Sequence, residues 1–247
     1  KNDNSDYRFF RSPESLSNRP LVSFHPAMAN PEHVRQLLDG GVEGWNKFRR
    51  TNPELIPDLR DADLSGYDFT GLDLSKSELS GADLSDCYLF RANLTEANLT
   101  NANLTEADIL EANLIQVNLS QASLIRADLS GSGLIGGNLE AANLEGANLT
   151  RASLPWCKMA RCNLSKAKLH LTDLREAQLL QANLQGASLQ DASLTGTNFQ
   201  EANLRGVTHV SPDLLAKAKT LYLAQLDDTL LTQLQHDVPR LFQASSA

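Results

Sequence analysis

The stretch ANLTEANLTNANLTEAD at residues 92–108 decides the fold of this chain, because its apolar residues recur every five positions. Extended in both directions, the same register places a large apolar residue at every fifth position from Leu59 to Leu204, 30 positions in all. Of these, 26 are Leu and the exceptions are Phe69, Ile109, Met159 and Phe199. A period of five matches neither an α-helix nor a β-strand, and self-similarity of this length predicts a solenoid.

The other positions of each five-residue unit follow the same period. The residue two places before each central apolar residue is small in nearly every unit, and the residue one place before it is Asp in the early units and Asn in the later ones. This A-(D/N)-L-x-x pattern is clearest in residues 92–108 and in ANLEGANLTRASL at residues 142–154. It resembles the pentapeptide-repeat family, and the resemblance covers residues 58–206 of the 247.

The resemblance implies an all-β solenoid, a right-handed quadrilateral β-helix in which four five-residue units form one coil. It also implies that the central residue and the small residue point inward and that the other three point outward. Packing agrees with this, because Leu side chains that fill the axis leave room only for Ala, Ser or Cys beside them. The repeats then form about 7.5 coils and a rod roughly 36 Å long, at the spacing of paired strands.

The segments outside the repeats are expected to cover the ends of the rod, which would otherwise expose backbone and Leu side chains. We predict an irregular N-terminal extension at 1–29, an N-terminal helical cap at 30–57, the β-helix at 58–206 and a C-terminal helical cap at 207–247. Both ends resemble the capping segments of cyanobacterial pentapeptide-repeat proteins.

Two helical segments are predicted before the repeats. The motif NPE at residues 30–32 provides an N-cap, a proline at the first helical position and an acidic first turn. The glycines at 40–41 break this helix. The second segment, 42–50, places Trp45 and Phe48 at helical spacing, where they can cover the first coil.

Two further helices are predicted after the repeats. The motif SPD at residues 211–213 opens a helix through about Lys219, and Asp227 or Asp228 caps another through about His236. Their Leu side chains supply the apolar surface that closes the last coil. An amphipathic helix that binds a partner is the competing interpretation.

The sequence predicts no catalytic, cofactor-binding or metal site, and hence no enzyme. Cys87, Cys157 and Cys162 all fall on the small inward position, where packing explains them, and a disulfide or metal role is the alternative. The carboxylates at every fifth residue of 63–83 point outward from successive faces of the rod. As a run they therefore cannot bind one metal ion. The sequence contains no glycine-rich phosphate loop.

Two adjacent faces of the predicted rod carry apolar residues at outward positions. Residues 20 apart stack one coil above another, so these side chains form one contiguous patch: Tyr88, Phe90, Leu110, Ile115, Ile135 and Trp156. Soluble monomers seldom expose large apolar patches without a use, which makes this patch a candidate surface for a protein partner or a homodimer. The alternative is that residues 1–29, with Phe9, Phe10 and Phe24, cover it.

Charge is distributed unevenly along the repeats. Residues 58–111 hold 12 acidic and 3 basic side chains, a net charge of −9, whereas residues 112–206 hold 7 acidic and 8 basic, a net charge of +1. The positive side chains concentrate in a basic cluster: Arg151, Lys158, Arg161, Lys166, Lys168 and Arg175. Trp156 is the only aromatic residue interleaved with this cluster, so nucleic-acid binding is not predicted.

These features together predict a non-enzymatic protein–protein interaction module with a regulatory, scaffold or assembly role. The first alternative is a DNA-mimicking inhibitor or protector of DNA gyrase, since family members with that activity are similar to an acidic duplex. The second is a small-molecule binder or enzyme without an identifiable site.

Composition places the chain outside the membrane-spanning class. It is 41% hydrophobic and has no apolar run near the roughly 18 residues that a membrane helix needs. Three unpaired thiols favour a reducing compartment, so we expect a cytoplasmic location. Because the chain starts at Lys1, a removed leader remains open, with the periplasm or the thylakoid lumen as the alternative location.

Overall fold

The computed structural model describes residues 29–244 and folds the repeats into a β-helix. Parallel bridges pair residues 20 positions apart, from Asp58↔Glu78 to Ser188↔Thr208. Within the described residues the pairing consists of such single-residue bridges rather than of longer strands. One coil is therefore 20 residues, or four five-residue units. The predicted extension at 1–29 lies outside the described residues except for Ala29, and so do Phe9, Phe10 and Phe24.

The five-residue unit forms because two of its positions are inward and a tight turn separates one unit from the next. In the unit around Leu94, both Leu94 and Ala92 are 0% exposed. The amide of Ala97 donates to the carbonyl of Leu94 at 3.0 Å, which closes a β-turn whose third residue, Glu96, has φ 58. A positive φ at that position is what a type II turn requires. The fifth position of every unit from Asp61 to Gly206 has this conformation.

Each unit donates backbone hydrogen bonds to both neighbouring coils. The amide of Leu94 donates to Asn113 at 2.7 Å and that of Glu96 to Ile115 at 2.9 Å, both in the following coil. The amide of Asn93 donates to Leu72 in the preceding coil at 2.9 Å. The inner coils thus satisfy their backbone amides within the rod. Only the two end coils need hydrogen-bond partners from outside the repeats.

Polar residues on the small inward position find their acceptor one coil earlier. The Cys87 thiol donates to the Leu64 carbonyl at 2.8 Å, and the Thr172 hydroxyl donates to the Leu149 carbonyl at 2.7 Å. The acceptor lies 23 residues earlier in each pair. Ser77 lies in the second coil, and the position 23 residues before it precedes the first coil. Its buried hydroxyl has no hydrogen-bond partner.

The N-terminal helix, α1, spans Pro31–Thr51 and has the start and the break that the sequence predicts. Asn30 is its N-cap and accepts a hydrogen bond from the Glu32 amide at 2.9 Å. Gly41, with φ 55 and ψ −168, makes a kink that divides α1 into two helical pieces.

Side chains of α1 bond the free edge of the first coil. The Trp45 indole, which is 0% exposed, donates to the Asp73 carbonyl at 2.7 Å, and the Asn46 side chain accepts from the Asp73 amide at 2.8 Å. The Arg49 guanidinium donates to the Ser75 carbonyl at 2.7 Å. These contacts replace the bonds that a preceding coil would make.

The segment before α1 bonds another side of the same edge. The amides of Ala29 and Asn30 donate to the carbonyls of Arg60 at 2.9 Å and Asp58 at 3.0 Å. His33 Nδ1 accepts from the Asp58 amide at 3.0 Å. The coil therefore begins with its backbone groups bonded on at least two of its four sides.

After the repeats, the structure does not contain the full helix that the sequence predicts from residues 211–213 through about Lys219. Helix α2 is short, Pro212–Leu215, and Ser211 caps it by accepting from the Leu214 amide at 3.2 Å. Beyond it the chain returns to the coil ladder, where the Lys219 amide donates to the Thr197 carbonyl at 2.9 Å. The prediction was wrong beyond Leu215 because ladder pairing outweighs the local helical signal.

This returning segment changes the register of the rod. The bridges Asn198↔Thr220 and Asn203↔Gln225 join residues 22 positions apart instead of 20. Coil pairing consequently extends past the predicted boundary at 206 and into the segment assigned to the C-terminal cap.

Two short helices follow this segment. Helix α3 spans Asp228–Asp237, and a 3₁₀ helix spans Pro239–Phe242. The Asp227 carboxylate accepts from the Gly206 amide at 3.0 Å. Leu234 and Leu241 are 0% exposed. No helix within residues 29–244 is long and apolar enough to cross a membrane.

We expect Leu124→Asp to abolish cooperative folding. Leu124 is 0% exposed in the middle of the rod, so the variant places an unpaired carboxylate among Leu side chains at a cost of several kcal/mol. The measurement is thermal unfolding followed by circular dichroism.

The matched control is Leu171→Asp. Leu171 is 43% exposed and has φ 56, a conformation that Asp adopts more readily than Leu. Its midpoint should stay near that of the wild type. A normal transition in Leu124→Asp would contradict the inward assignment.

Candidate protein-binding surface

The four faces of the rod are numbered here by their first central residues, so that faces 1 to 4 begin at Leu59, Leu64, Phe69 and Leu74. Phe90 and Leu110 follow central residues of face 3, and Ile115 and Ile135 follow central residues of face 4. The Arg91 amide bonds the Leu110 carbonyl at 2.9 Å, and the Gln116 amide bonds the Ile135 carbonyl at 2.9 Å. The structure thus stacks the predicted residues in adjacent coils.

The exposure of these residues varies. Trp156 is 62% exposed and Ile135 is 37% exposed, and these two are the most accessible members of the predicted patch. The remaining members are half-buried: Tyr88, Phe90, Leu110 and Ile115. Pro155, which stacks over Ile135 in the same column, is buried. The most accessible apolar surface therefore lies on face 4.

A charged pair separates the two apolar columns. Arg91 lies over the Phe90 ring, with 4.7 Å from its guanidinium carbon to the ring centroid, and pairs with the Glu111 carboxylate at 2.8 Å. In the following coil the position equivalent to Glu111 is Gly131. The Arg91–Glu111 pair thus separates the two columns in the coils before Ile135. In the coil of Ile135 they are separated by Gly131, which has no side chain.

The coil of Ile135 carries several glycines at outward positions around face 4. Gly131, Gly133 and Gly136 surround Ile135 at outward positions. A Cβ atom at Gly133 would meet no atom within 4 Å, so this position opens to solvent. Ile135, which is 37% exposed, is therefore surrounded by outward positions that carry no side chain.

The conformation of Trp156 was not anticipated from the sequence. It occupies the fifth position of its unit with φ 58, a left-handed conformation that costs a bulky residue roughly 1–2 kcal/mol. Leu171 and Leu223 are also exposed and left-handed, with φ 56 and 57. Large apolar residues at a position otherwise rich in Gly and polar residues are the sequence signal that identifies them.

Four of the eight basic residues in 112–206 are paired with carboxylates: Arg126, Arg161, Lys166 and Arg175. Arg126 pairs with Glu106 and Arg161 with Glu140, each across one coil boundary. Such exposed pairs stabilise the fold only weakly. Arg175 bonds Asp173 at 2.7 Å, and this hydrogen bond lowers the pKa of the carboxyl group.

The three cysteines are buried and unreactive in the folded state. Each is unpaired and at most 1% exposed. Burial raises the pKa of Cys87 and of Cys157 to about 12, and it raises that of Cys162 further. No group of His, Cys, Asp or Glu within residues 29–244 could hold a metal ion.

Sequence comparison connects the repeats to a known family. A family model described as pentapeptide repeats matches in eight copies, at residues 58–89, 82–121, 92–131, 138–175 and 172–208. No curated protein matches the chain.

Similar solved structures come from several sources. HetL, a pentapeptide repeat protein involved in heterocyst differentiation regulation from the cyanobacterium Nostoc sp. strain PCC 7120, is 27% identical, with 73% of this chain and 93% of that chain covered and a TM-score of 0.29. QnrB1, a plasmid-mediated fluoroquinolone resistance protein, is 18% identical, with coverage of 74% and 95% and a TM-score of 0.34. A pentapeptide repeat protein from the thylakoid lumen of Arabidopsis thaliana is 22% identical, with coverage of 75% and 99% and a TM-score of 0.25.

The buried thiols predict a fall in stability at alkaline pH. A thiol whose pKa is higher in the folded state than its ordinary value of 9.0 contributes stability that is complete below pH 9 and is lost as the pH rises toward about 12. We expect the unfolding midpoint to drop between pH 7.5 and pH 10.

The comparison is with a variant in which all three cysteines are replaced by Ala, the commonest residue at this inward position. Its midpoint should drop less over the same pH interval. Equal losses in the two proteins would show that the thiols do not carry the pH dependence.

Proposed function

The chain belongs to the pentapeptide repeat family, and on that premise we propose that it is a non-enzymatic protein–protein interaction module with a regulatory, scaffold or assembly role. The rod offers flat, preorganised outer faces and lacks a deep cleft among the described residues. Preorganised surfaces bind with little loss of conformational entropy, which suits recognition rather than catalysis.

One observation carries this proposal. The apolar residues of face 4 include an indole that is 62% exposed at Trp156 and an isoleucine that is 37% exposed at Ile135. Trp is the side chain most enriched among residues that dominate binding energy, and exposed apolar side chains grouped on one face of a regular rod suit contact with a partner. The half-buried Ile115 belongs to the same face, and the half-buried Tyr88, Phe90 and Leu110 form a second apolar column on face 3, beyond the Arg91–Glu111 pair.

The proposal includes the finer architecture that the family implies. The repeats form about 7.5 right-handed coils at the usual strand spacing. Helix α1 acts as the N-terminal cap, supported by the bonds of Trp45, Asn46 and Arg49 to the first coil. The segment from Val207 onward acts as the C-terminal cap, supported by the buried Leu234 and Leu241. Such caps keep the coil edges from pairing with other chains.

We expect the double variant Ile115→Asp with Trp156→Ala to lose partner capture without losing the fold. Both side chains are at outward positions, so the unfolding midpoint should remain close to that of the wild type. The measurement is affinity capture from host lysate with each protein, followed by identification of what is retained.

The matched control is Leu223→Asp. Leu223 is 61% exposed and left-handed, like Trp156, but it lies outside the repeats. It should retain what the wild type retains. Identical captures by the double variant and the wild type would remove the patch as the binding surface, and a large loss of stability would contradict its outward register.

A second candidate function is DNA mimicry directed at DNA gyrase. The observation that favours it is the net charge of −9 over residues 58–111, where 12 side chains are acidic and 3 are basic. The hypothesis predicts inhibition of, or protection in, a gyrase supercoiling assay that weakens as salt is raised. No effect at low ionic strength would eliminate it.

A further inference from the structure

We propose that face 4 binds a second copy of this chain, with the two rods antiparallel about a twofold axis that passes through the coil of Ile135. This inference rests on the proposed function, because it names the partner for the same apolar surface. It is carried by the position of the three glycines around Ile135 and by the residues one coil before and one coil after them.

Ile135 and the glycines around it lie at the middle of the repeats. Residues 58–206 extend almost equally far on either side of Ile135, so antiparallel rods that meet there overlap along nearly their whole length. The axis layer contains Gly131, Gly133 and Gly136 at outward positions. The absence of these side chains lets two copies of Ile135 approach each other across the axis.

The register of the coils determines which charged residues face each other. Glu111 stacks one coil before Gly131, and Arg151 stacks one coil after it. A twofold axis through this layer therefore places Glu111 of one copy opposite Arg151 of the other, and the reverse, so that each dimer contains this pair twice. Arg151 forms no ion pair within residues 29–244, whereas Glu111 is paired with Arg91 of its own chain, so the contact between copies adds Arg151 to an existing pair.

The apolar residues match under the same operation. Ile115 lies one coil before Ile135, and Pro155 with Trp156 lies one coil after it. In the antiparallel pair Ile115 of one copy packs near Trp156 of the other. The exposed indole is thereby removed from water, which is the usual role of Trp in an interface.

The layers farther out add no complementary pair. Glu96, two coils before the axis, comes opposite Glu176, and the adjacent Arg175 is paired with Asp173 of its own chain. The charge contribution to the antiparallel arrangement therefore comes from the two Glu111–Arg151 contacts beside the axis.

The expected dimer is weak. One face of a rod roughly 36 Å long is small by the standards of stable dimers, and small interfaces belong to transient complexes. Self-association should therefore appear in the micromolar range by sedimentation velocity.

The first test is site-specific cross-linking. Gly133 lies on the proposed axis with open space around its Cα, and Gly133→Cys should give a covalent dimer with a short bis-maleimide reagent. Ser193→Cys is the matched control, since it occupies the same column three coils from the axis and would not face its own counterpart. The native cysteines are buried and should not react. Equal cross-linking of the two variants, or none of Gly133→Cys, would overturn the antiparallel pairing.

The second test is a charge swap measured by sedimentation velocity. Glu111→Arg and Arg151→Glu should each weaken dimerisation by about tenfold or more, because each places like charges opposite each other twice. The variant that carries both substitutions should recover most of the affinity, since the opposed charges are again complementary. Thermal unfolding of each variant checks that the fold is intact.

The outcomes separate this inference from the proposed function. A chain that stays monomeric over the micromolar range, or a dimer that the charge swap does not affect, overturns the pairing. If capture of another protein still depends on Ile115 and Trp156, the proposed function survives and its partner is that protein. If the chain is monomeric and the double variant captures the same proteins as the wild type, both fail.

Discussion

The rest of this structure depends on the closure of each coil after 20 residues. That spacing aligns backbone amides with carbonyls of the neighbouring coils, as in the bond of Leu94 to Asn113 in the following coil and of Asn93 to Leu72 in the preceding one. The closure holds because the inward Leu side chains stack at a common axis and the fifth residue of each unit turns with a positive φ. Backbone pairing and apolar burial therefore impose the same register, and each strengthens the other.

The fold of the repeats could be predicted because side-chain volume alone distinguishes inward from outward positions. The N-terminal start at Asn30 and the break at Gly41 could be predicted for a related reason, since caps and helix-breaking residues act locally. The C-terminal end could not. Its Leu and Ala residues fit a helical pattern and a coil of the β-helix equally well. Lys219 joins the β-helix because its amide donates to the Thr197 carbonyl at the edge of the last regular coil.

The candidate surface was only partly accessible to sequence reasoning. The period of 20 places Ile115, Ile135 and Pro155 in one column, but it carries no information on how far each side chain protrudes. Pro155 is buried while its neighbour Trp156 is the most exposed aromatic residue of the surface, because the left-handed turn directs the fifth residue of the unit outward. The accessibility of Ile135 is accompanied by three glycines at neighbouring outward positions, and missing side chains of this kind are easily overlooked in a pattern defined by the residues that recur.

The change from a 20-residue to a 22-residue spacing at Asn198 and Asn203 sets a limit on the length of the rod. A coil that stacks on the widened segment would need the same two extra residues to match it, so regular units cannot be added after it. Lengthening by duplication of five-residue units is compatible with the structure only upstream of this point, and only in groups of four that keep the faces aligned. The chain itself therefore fixes where the rod ends. Each outward side chain lies at a set distance from that end.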